Sequence, residues 1–482
     1  MVKPSSKGGF NLSKRRKTGG EDRISALPDE IIVIILSGLP VKDAQATSVL
    51  SRRWRDIQID MWKNITYLDF DDEKNLCRLY GLLRRHLDVE ELQLRYVNWV
   101  DSVLKLHRAP TIERFRVSFG IDLRSFSSVD EWICFAMKKG VQILELEFLD
   151  YDSCCYKLVP YILCQNVLGI RKGSGLNPLS SNITSKHLDY VGYTSLKILD
   201  LKSVDVTGNV LEDILSNCPA LERLSVSNSS KLLNLRVMSP STAFKYLVIQ
   251  RCNNLTRIQI SDANLVSFVN EADGLQSNKV DLHLKNLPLL VEVSLGGRRS
   301  IDFLEVASQI CCCLAQLEVL KLNEFSMIYR RESVFPTLCN LKHLELPLHE
   351  DDDSALLQLS SFMKAAPLLH TLVLQLRYSM RRKGPFPNKK AAKCLHNNLK
   401  VMEIVRYIYT CTTRHIDLVK YVTKAAMNLE KIVFHSDCDR DYRSRVRLVQ
   451  TEFELVERRK ECLSHVRMIK KKLPASVEVV CL

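Results

Sequence analysis

His349 followed by Glu350-Asp351-Asp352-Asp353 is the one place where side chains able to ligate a divalent cation stand together. Such an oxygen-rich run suits a hard cation, but an acidic stretch between repeats is usually a solvated loop, and it is taken as one here. Cys311, Cys312 and Cys313 form the densest thiol cluster among sixteen cysteines, yet no C-x-x-C pair occurs, so the spacing of a structural zinc site is missing. Spread over 482 residues, the cysteines are expected to be reduced and to serve mainly as buried small hydrophobes. The eleven histidines do not cluster. A G-x-x-x-x-G-K phosphate loop, a strand-led G-x-G-x-x-G, H-E-x-x-H and G-x-S-x-G are all absent. No catalytic residue, metal or cofactor is expected.

The elements that could position a binding surface are easier to find. With 46% hydrophobic and 26% charged residues the chain suits two or three globular domains. No uninterrupted apolar run is longer than Ile31 to Leu36, which is far short of the roughly 18 residues of a membrane span, so no membrane association is expected. The net charge of +14 is concentrated at the ends. Residues 1–20 hold six Lys or Arg and no acid, and residues 377–482 hold 24 basic against 11 acidic side chains. The stretch between is slightly negative, and the basic C-terminal part lacks a reading helix or aromatic platform, so nucleic-acid binding is not expected. No secretory leader is visible at the N-terminus, and the sequons at Asn182 and Asn254 therefore carry no argument for secretion. The run Lys14-Arg15-Arg16-Lys17 in a Gly/Ser/Asn-rich tail suits an import receptor, so the expected location is the nucleus and/or the cytoplasm.

Between Asp22 and Trp62, two Leu-Pro pairs bracket a helix-length segment that Asp29 can cap and Leu39-Pro40 should stop. Its centre, Ile31-Ile32-Val33-Ile34-Ile35-Leu36, is apolar on every face, which is not the pattern of a surface helix. A second helix is expected from Lys42-Asp43, with Ala44, Ala46, Val49 and Leu50, and a third around Trp54 and Ile57. Three short helices bury too little area to stand alone, so the surplus apolar surface should be a docking site.

This segment resembles the plant F-box family in Asp22 to Ser25, Leu27-Pro28, Leu36, Leu39-Pro40, Lys42-Asp43-Ala44, Thr47 to Ser51 and Arg53-Trp54. The resemblance implies binding to a Skp-type adaptor, and through it to a cullin scaffold, by Leu27, Pro28, Ile31, Ile35, Leu36, Leu39, Pro40, Leu50 and Trp54. Asp56-Ile57-Gln58-Ile59 departs from the family pattern and bears on where the third helix ends.

From residue 89 onward, apolar-x-x-apolar-x-apolar recurs, as at Leu317, Leu320 and Leu322. It begins at Val89, Ile112, Val141, Leu196, Leu221, Phe244, Leu290, Leu317, Leu341, Leu369 and Leu399, at spacings near those of leucine-rich repeats. The last two apolar positions of each unit should point into a core from a short strand, and the units should stack into a curved solenoid with a parallel inner sheet and outer helices. Pro110, Pro219, Pro288 and Pro367 are expected to end those helices. No clean unit appears between 146 and 196 apart from Val167 to Ile170, while residues 244–270 have room for three strands about ten residues apart. The repeats resemble the body of the same F-box family. The closing region, with Leu429, Ile432 and Phe434, a helical stretch Glu454 to Lys472 and a strand Val477 to Val480, resembles its FBD segment, although Tyr409, Cys411 and His415 depart from it.

The expected organisation is α/β: a basic tail (1–20), a three-helix F-box (21–62), leucine-rich repeats (63–393) and an FBD-like region (394–482). The resemblance implies the substrate-recognition subunit of a Skp-cullin-F-box ubiquitin ligase, itself without catalysis; a non-degradative F-box scaffold is the alternative, and a nucleic-acid-binding protein a more distant one. The target, unknown in identity, is expected on the later repeats at Lys321, Lys342 and His370, where the basic stretch Arg377 to Lys393 would draw an acidic or phosphorylated segment.

Overall fold

The computed structural model describes residues 24, 26–37, 46–71, 90–120, 123–148, 160–164, 192–272, 280–297, 300–323, 326–328, 335–349, 355–377, 395–405, 413–435 and 452–482. The chain divides into two compact units, Met1–Ile65 and Thr66–Leu482.

In the first unit, α1 (Asp29–Ser37) opens with two acidic residues, which suit a helix N-terminus. A 3₁₀ turn follows at Thr47–Val49, and then α2 (Arg52–Asn64). Ser51 caps α2, its Oγ accepting from Trp54 N at 3.2 Å. Asp56 to Ile59 do not interrupt this helix, which runs on to Asn64. Ile32, Leu36 and Trp54 form the core, with Leu27, Ile57 and Met61 packed around them.

The second unit is built on a fourteen-stranded parallel sheet. Its early strands are β1 (Tyr67–Asp71), β2 (Arg114–Phe119) and β3 (Ile143–Phe148), beside a short β4 (Tyr161–Ile162). The middle of the chain forms β5 (Ile198–Lys202), β6 (Val204–Asp205), β7 (Arg223–Ser227), β8 (Asn234–Met238), β9 (Tyr246–Gln250), β10 (Arg257–Ser261), β11 (Ser267–Glu271) and β12 (Asp281–Lys285). Then come β13 (Glu292–Gly296), β14 (Ser300–Asp302), β15 (Val319–Asn323), β16 (Ser326–Ile328) and β17 (His343–His349). Last are β18 (Thr371–Arg377), β19 (Val401–Val405), β20 (Lys431–Phe434) and β21 (Glu478–Cys481). The large sheet runs β1-β2-β3-β5-β7-β9-β11-β13-β15-β17-β18-β19-β20-β21.

Repeat residues stand opposite one another without slippage. Leu144 faces Leu199, which faces Leu224, then Leu247, Phe268 and Val293, and on through Leu320, Leu344 and Leu372. All of these are buried, because a period of two sends every second side chain into the core. The carbonyl just before most strands of the large sheet accepts two N–H groups from the next repeat, as Glu318 O does from Lys342 N at 2.8 Å and His343 N at 3.0 Å. The segment from residue 394 onward adds β19, β20 and β21 to this same sheet.

Several sequence expectations change here. Leu92 and Leu94 are not on a strand: they lie on α3 (Glu90–Leu106), whose buried side chains Tyr96, Val97, Val100, Val103 and Leu104 follow helical spacing and leave Leu94 exposed. The first strand is β1, and Ile65, Leu68 and Phe70 carry the repeat pattern. Among the described residues between 149 and 196 none adds a strand to the large sheet, in which β3 pairs directly with β5; Val167 to Ile170 lie outside the described residues. The three strands anticipated in 244–270 are β9, β10 and β11, but β10 belongs to a second sheet, β12-β10-β8. In these repeats a strand replaces the expected outer helix. Pro288 accordingly follows β12, whereas Pro110, Pro219 and Pro367 follow α3, α5 (Gly208–Asn217) and α7 (Ala355–Ala365). Helices α4 (Phe126–Lys138), α6 (Phe303–Gln309), α8 (Thr413–Ala425) and α9 (Glu452–Lys470) occupy other connections, as does a single turn at Gly192–Ser195.

Ser203, Asn228 and Arg251 directly follow β5, β7 and β9 with φ of 55°, 58° and 55°, and their N–H groups bond to Ser227, Gln250 and Glu271 carbonyls of the next strand. This left-handed step turns the chain out of the sheet. The cysteines are more varied than expected: Cys218, Cys252, Cys313 and Cys462 are buried, but Cys164, Cys311, Cys312 and Cys339 are exposed.

Candidate functional site

Helix α1 has too many apolar residues for the core available to it. Only Ile32 and Leu36, four residues apart, turn inward; Ile31, Val33, Ile34 and Ile35 stay exposed, Ile34 by 64%. Ile24, Val49 and Leu50 are also exposed, Leu50 by 56%. Asp29 and Arg53 hold the two helices together through an ion pair and an Arg53 Nε–Asp29 Oδ1 hydrogen bond of 2.8 Å, while Arg53 Nη2 donates to Leu27 O at 2.7 Å. The hydrogen bonds fix the angle at which α1 leaves its surplus face to solvent.

Of the residues expected to touch an adaptor, Ile31, Ile35, Leu50 and Pro28 are exposed and Leu27 is half-buried. Leu36 at 0% and Trp54 at 3% exposure are instead the centre of the unit's own core, so they shape the surface rather than form it. Ile34 and Val49 belong with the exposed set and were missed, Ile34 because a helix apolar all round gives no sign of which face turns in. Leu39 and Pro40 lie outside the described residues, as do Lys14 to Lys17, Glu350 to Asp353 and residues 378–393.

The second surface is the inner face of the large sheet, made by the strand residues that alternate with the core. Its early part is ionic. Arg116 lies 2.8 Å from Asp71, 3.6 Å from Asp69 and 3.5 Å from Glu147; Arg114 meets Glu145 at 2.6 Å; and Lys202 lies 3.8 Å from Glu147 and 3.7 Å from Asp200. Arg114, Arg116, Glu145, Leu146, Glu147, Asp200 and Lys202 line a cleft of about 270 Å³. Burial pushes the Asp69 and Asp200 carboxyls above their ordinary range, against the pull of Arg116 and Lys202 respectively.

The later part is held by amides and hydroxyls. Glu271 Oε1 accepts from Ser294 Oγ and Asn323 Nδ2, each at 2.6 Å, and its Oε2 accepts from Gln250 Nε2 at 3.0 Å. Asn323 reaches Glu271 across Gly296, where an added Cβ would lie 3.0 Å from Glu271 Cγ. Gln375 Nε2 reaches Asn323 Oδ1 across Pro347, and also Glu345 Oε1, both at 2.6 Å. Gly296 and Pro347 are the low points over which the longer polar side chains meet. Pro347 has no N–H for the ladder, and β15 pairs β17 only from His343 to Glu345.

The structure separates the three residues expected to hold a target. Lys321 faces the bend on β15 and is bound by Glu292 at 2.7 Å. Lys342 and His370 precede β17 and β18 on the rim, where Lys342 is paired with Glu318 at 2.8 Å and His370 Nδ1 lies 3.2 Å from Thr371 Oγ1. The network around Glu271 escaped sequence reading, since its bonded pairs lie up to 52 positions apart and only the sheet register joins them.

Among the described residues no three His, Cys, Asp or Glu side chains are arranged to hold a metal ion, and no helix is long and apolar enough to cross a membrane. Comparison with known proteins adds two matches to family models: an F-box domain over residues 24–65, and an LRR domain described as At1g61320/AtMIF1 over residues 103–482. The chain is similar to the Arabidopsis thaliana F-box/FBD/LRR-repeat protein At5g22700, with 24% identity over 86% of this chain and 92% of that one. It is similar also to At5g22660, 24% identical over 88% and 91%, and to At1g13780, 25% identical over 86% and 91%, both described in the same words and from the same plant.

Proposed function

Because the chain belongs to the plant F-box/leucine-rich-repeat family, with an FBD-like C-terminal region, we propose that it is the substrate-recognition subunit of a Skp-cullin-F-box ubiquitin ligase. The observation that carries this reading is the exposed face of α1 and the following turn, Ile31, Ile34, Ile35, Val49 and Leu50, on a unit whose own core is already filled by Ile32, Leu36 and Trp54. Apolar side chains presented together on so small a unit call for a partner surface that removes them from water. A Skp-type adaptor fits that role and would bring a cullin scaffold with it. The repeats would then hold the target on the inner sheet, whose outward positions vary without disturbing the core. In this assembly ubiquitin transfer is performed by other subunits, so the chain itself acts by binding. Lys14 to Lys17 would bring part of the population into the nucleus.

Co-expression of the full chain with a Skp-type adaptor and a cullin tests the reading. Recovery of the three as one complex, and accumulation of chain-bound proteins when the proteasome is inhibited, are the expected results. Adaptor capture without any change in the level of a bound protein would point to a non-degradative scaffold.

A further inference from the structure

Resting on the reading that the repeats hold the target, the inner sheet also indicates which kind of segment it takes. From β11 to β19 the carboxylates Glu271, Glu292, Glu345 and Glu403 face the bend, and the Lys or Arg positions of that face among the described residues are Lys321 and, at the end of β18, Arg377. Lys321 is committed to Glu292 at 2.7 Å, and Glu403 meets the His435 imidazole at 2.9 Å. Hydrogen bonds to Glu271 and Glu345 come from neutral groups, the amides of Gln250, Asn323 and Gln375 and the Ser294 hydroxyl. Neutral donors fix the direction of a carboxylate without cancelling its charge, and an ionised donor makes the stronger bond.

A second observation points the same way. Gln375 is 7% exposed and directs Nε2 to both Asn323 and Glu345, which leaves its buried Oε1 without a hydrogen-bond partner. An oxygen in that position calls for an incoming donor. Burial also pushes the His343 imidazole below its ordinary value, which disfavours its charged form beside these acids. On the early strands the situation is different, since Asp69, Asp71, Glu145, Glu147 and Asp200 each lie within ion-pair distance of an arginine or lysine of the same sheet.

We propose that the inner sheet from β11 to β19 docks a basic segment of the target protein, with arginine or lysine side chains meeting Glu271 and Glu345 and an N–H donor meeting Gln375. The sign is opposite to that expected from Lys321, Lys342 and His370, because both lysines already have carboxylate partners.

Fluorescence anisotropy on the full chain bound to its Skp-type adaptor tests this with two probes, a short peptide alternating arginine and serine and its glutamate–serine counterpart. The net charge of +14 favours the acidic probe by non-specific attraction, so a preference for the basic one must come from a local field. The expected result is binding of the basic probe, weakened at least about tenfold by Glu271→Gln with Glu345→Gln and unchanged by Asp71→Asn. Thr371→Lys places a cation on the same face without removing a member of the network, and it should weaken the basic probe even if the double variant unfolds. Preference for the acidic probe, or equal binding of the basic probe by the folded variants and the parent chain, would overturn the proposal. Adaptor capture is measured on the same preparation: loss of the adaptor with retention of the basic probe counts against the receptor reading alone, and the reverse counts against the basic-segment proposal alone.

Discussion

In the repeat unit the apolar positions of successive strands are sealed against one another, whereas in the N-terminal unit most of the apolar residues of α1 remain in water. Leu144, Leu199, Leu344 and Leu372 each have a repeat on both sides, and each is fully buried. Ile31, Ile34 and Ile35 belong to a helix that packs on α2 through one strip, Ile32 and Leu36, and among the described residues nothing covers the rest. Stacking gives the repeats a core that grows with every unit added. Among the described residues of the N-terminal unit the core holds three large buried side chains, Ile32, Leu36 and Trp54, and the rest of the apolar surface of α1 is exposed.

Substitutions should therefore separate stability in one unit from binding in the other. The largest effect is expected for Phe115→Ala, which removes a fully buried ring 5.7 Å from that of Phe70 and should cost about 4 kcal/mol in the repeat unit, read from denaturant unfolding. Leu36→Ala should destabilise the N-terminal unit by about 3 kcal/mol, seen as faster amide exchange along α1 and α2 while exchange in β1 to β21 stays as it was. If it instead weakened adaptor binding with exchange in α1 and α2 unchanged, the core assignment of Leu36 would be wrong. Asp205→Ala should cost about 2 kcal/mol, because this buried carboxylate accepts from Ser230 N at 2.6 Å, Ser230 Oγ at 2.9 Å and Lys231 N at 3.2 Å. Loss of those bonds should show in the melting of the repeat unit and leave adaptor capture intact.

The smallest effect concerns pH. His343 has its folded pKa lowered by burial from an ordinary 6.5, so the unfolded chain binds a proton more readily than the folded one between those two values. Stability should fall as pH drops through and below 6.5, and His343→Gln should flatten that part of the profile. A steeper loss in the variant would contradict the burial of His343.

Much of this contrast is written in the chain, though unevenly. The repeat pattern marks strands well because two buried positions per strand recur against a fixed register, as at Leu320 and Leu322. It misplaces the first one, since Leu92 and Leu94 match the short pattern while the helical spacing of Tyr96, Val100 and Val103 decides the longer segment. Outer strands and outer helices look alike at short range: Leu235, Val237, Ile258 and Ile260 needed the second sheet to explain them. In the N-terminal unit the proposed docking surface is legible as a surplus of isoleucine, but its inward strip is not, and the family resemblance names Leu36 and Trp54 as contacts where the structure places them in the core. The Glu271 network depends on Gly296 and Pro347 lying between larger side chains across neighbouring strands, a relation that no local pattern records.

The most direct test of the account is titration of a Skp-type adaptor into the full chain and into an Ile31→Ser/Ile34→Ser/Ile35→Ser variant by calorimetry. These side chains are exposed, so both proteins should unfold alike, and a binding surface centred on them predicts a loss of affinity of about a hundredfold or more. Equal affinity in two equally stable proteins would contradict it and place the adaptor elsewhere on the chain.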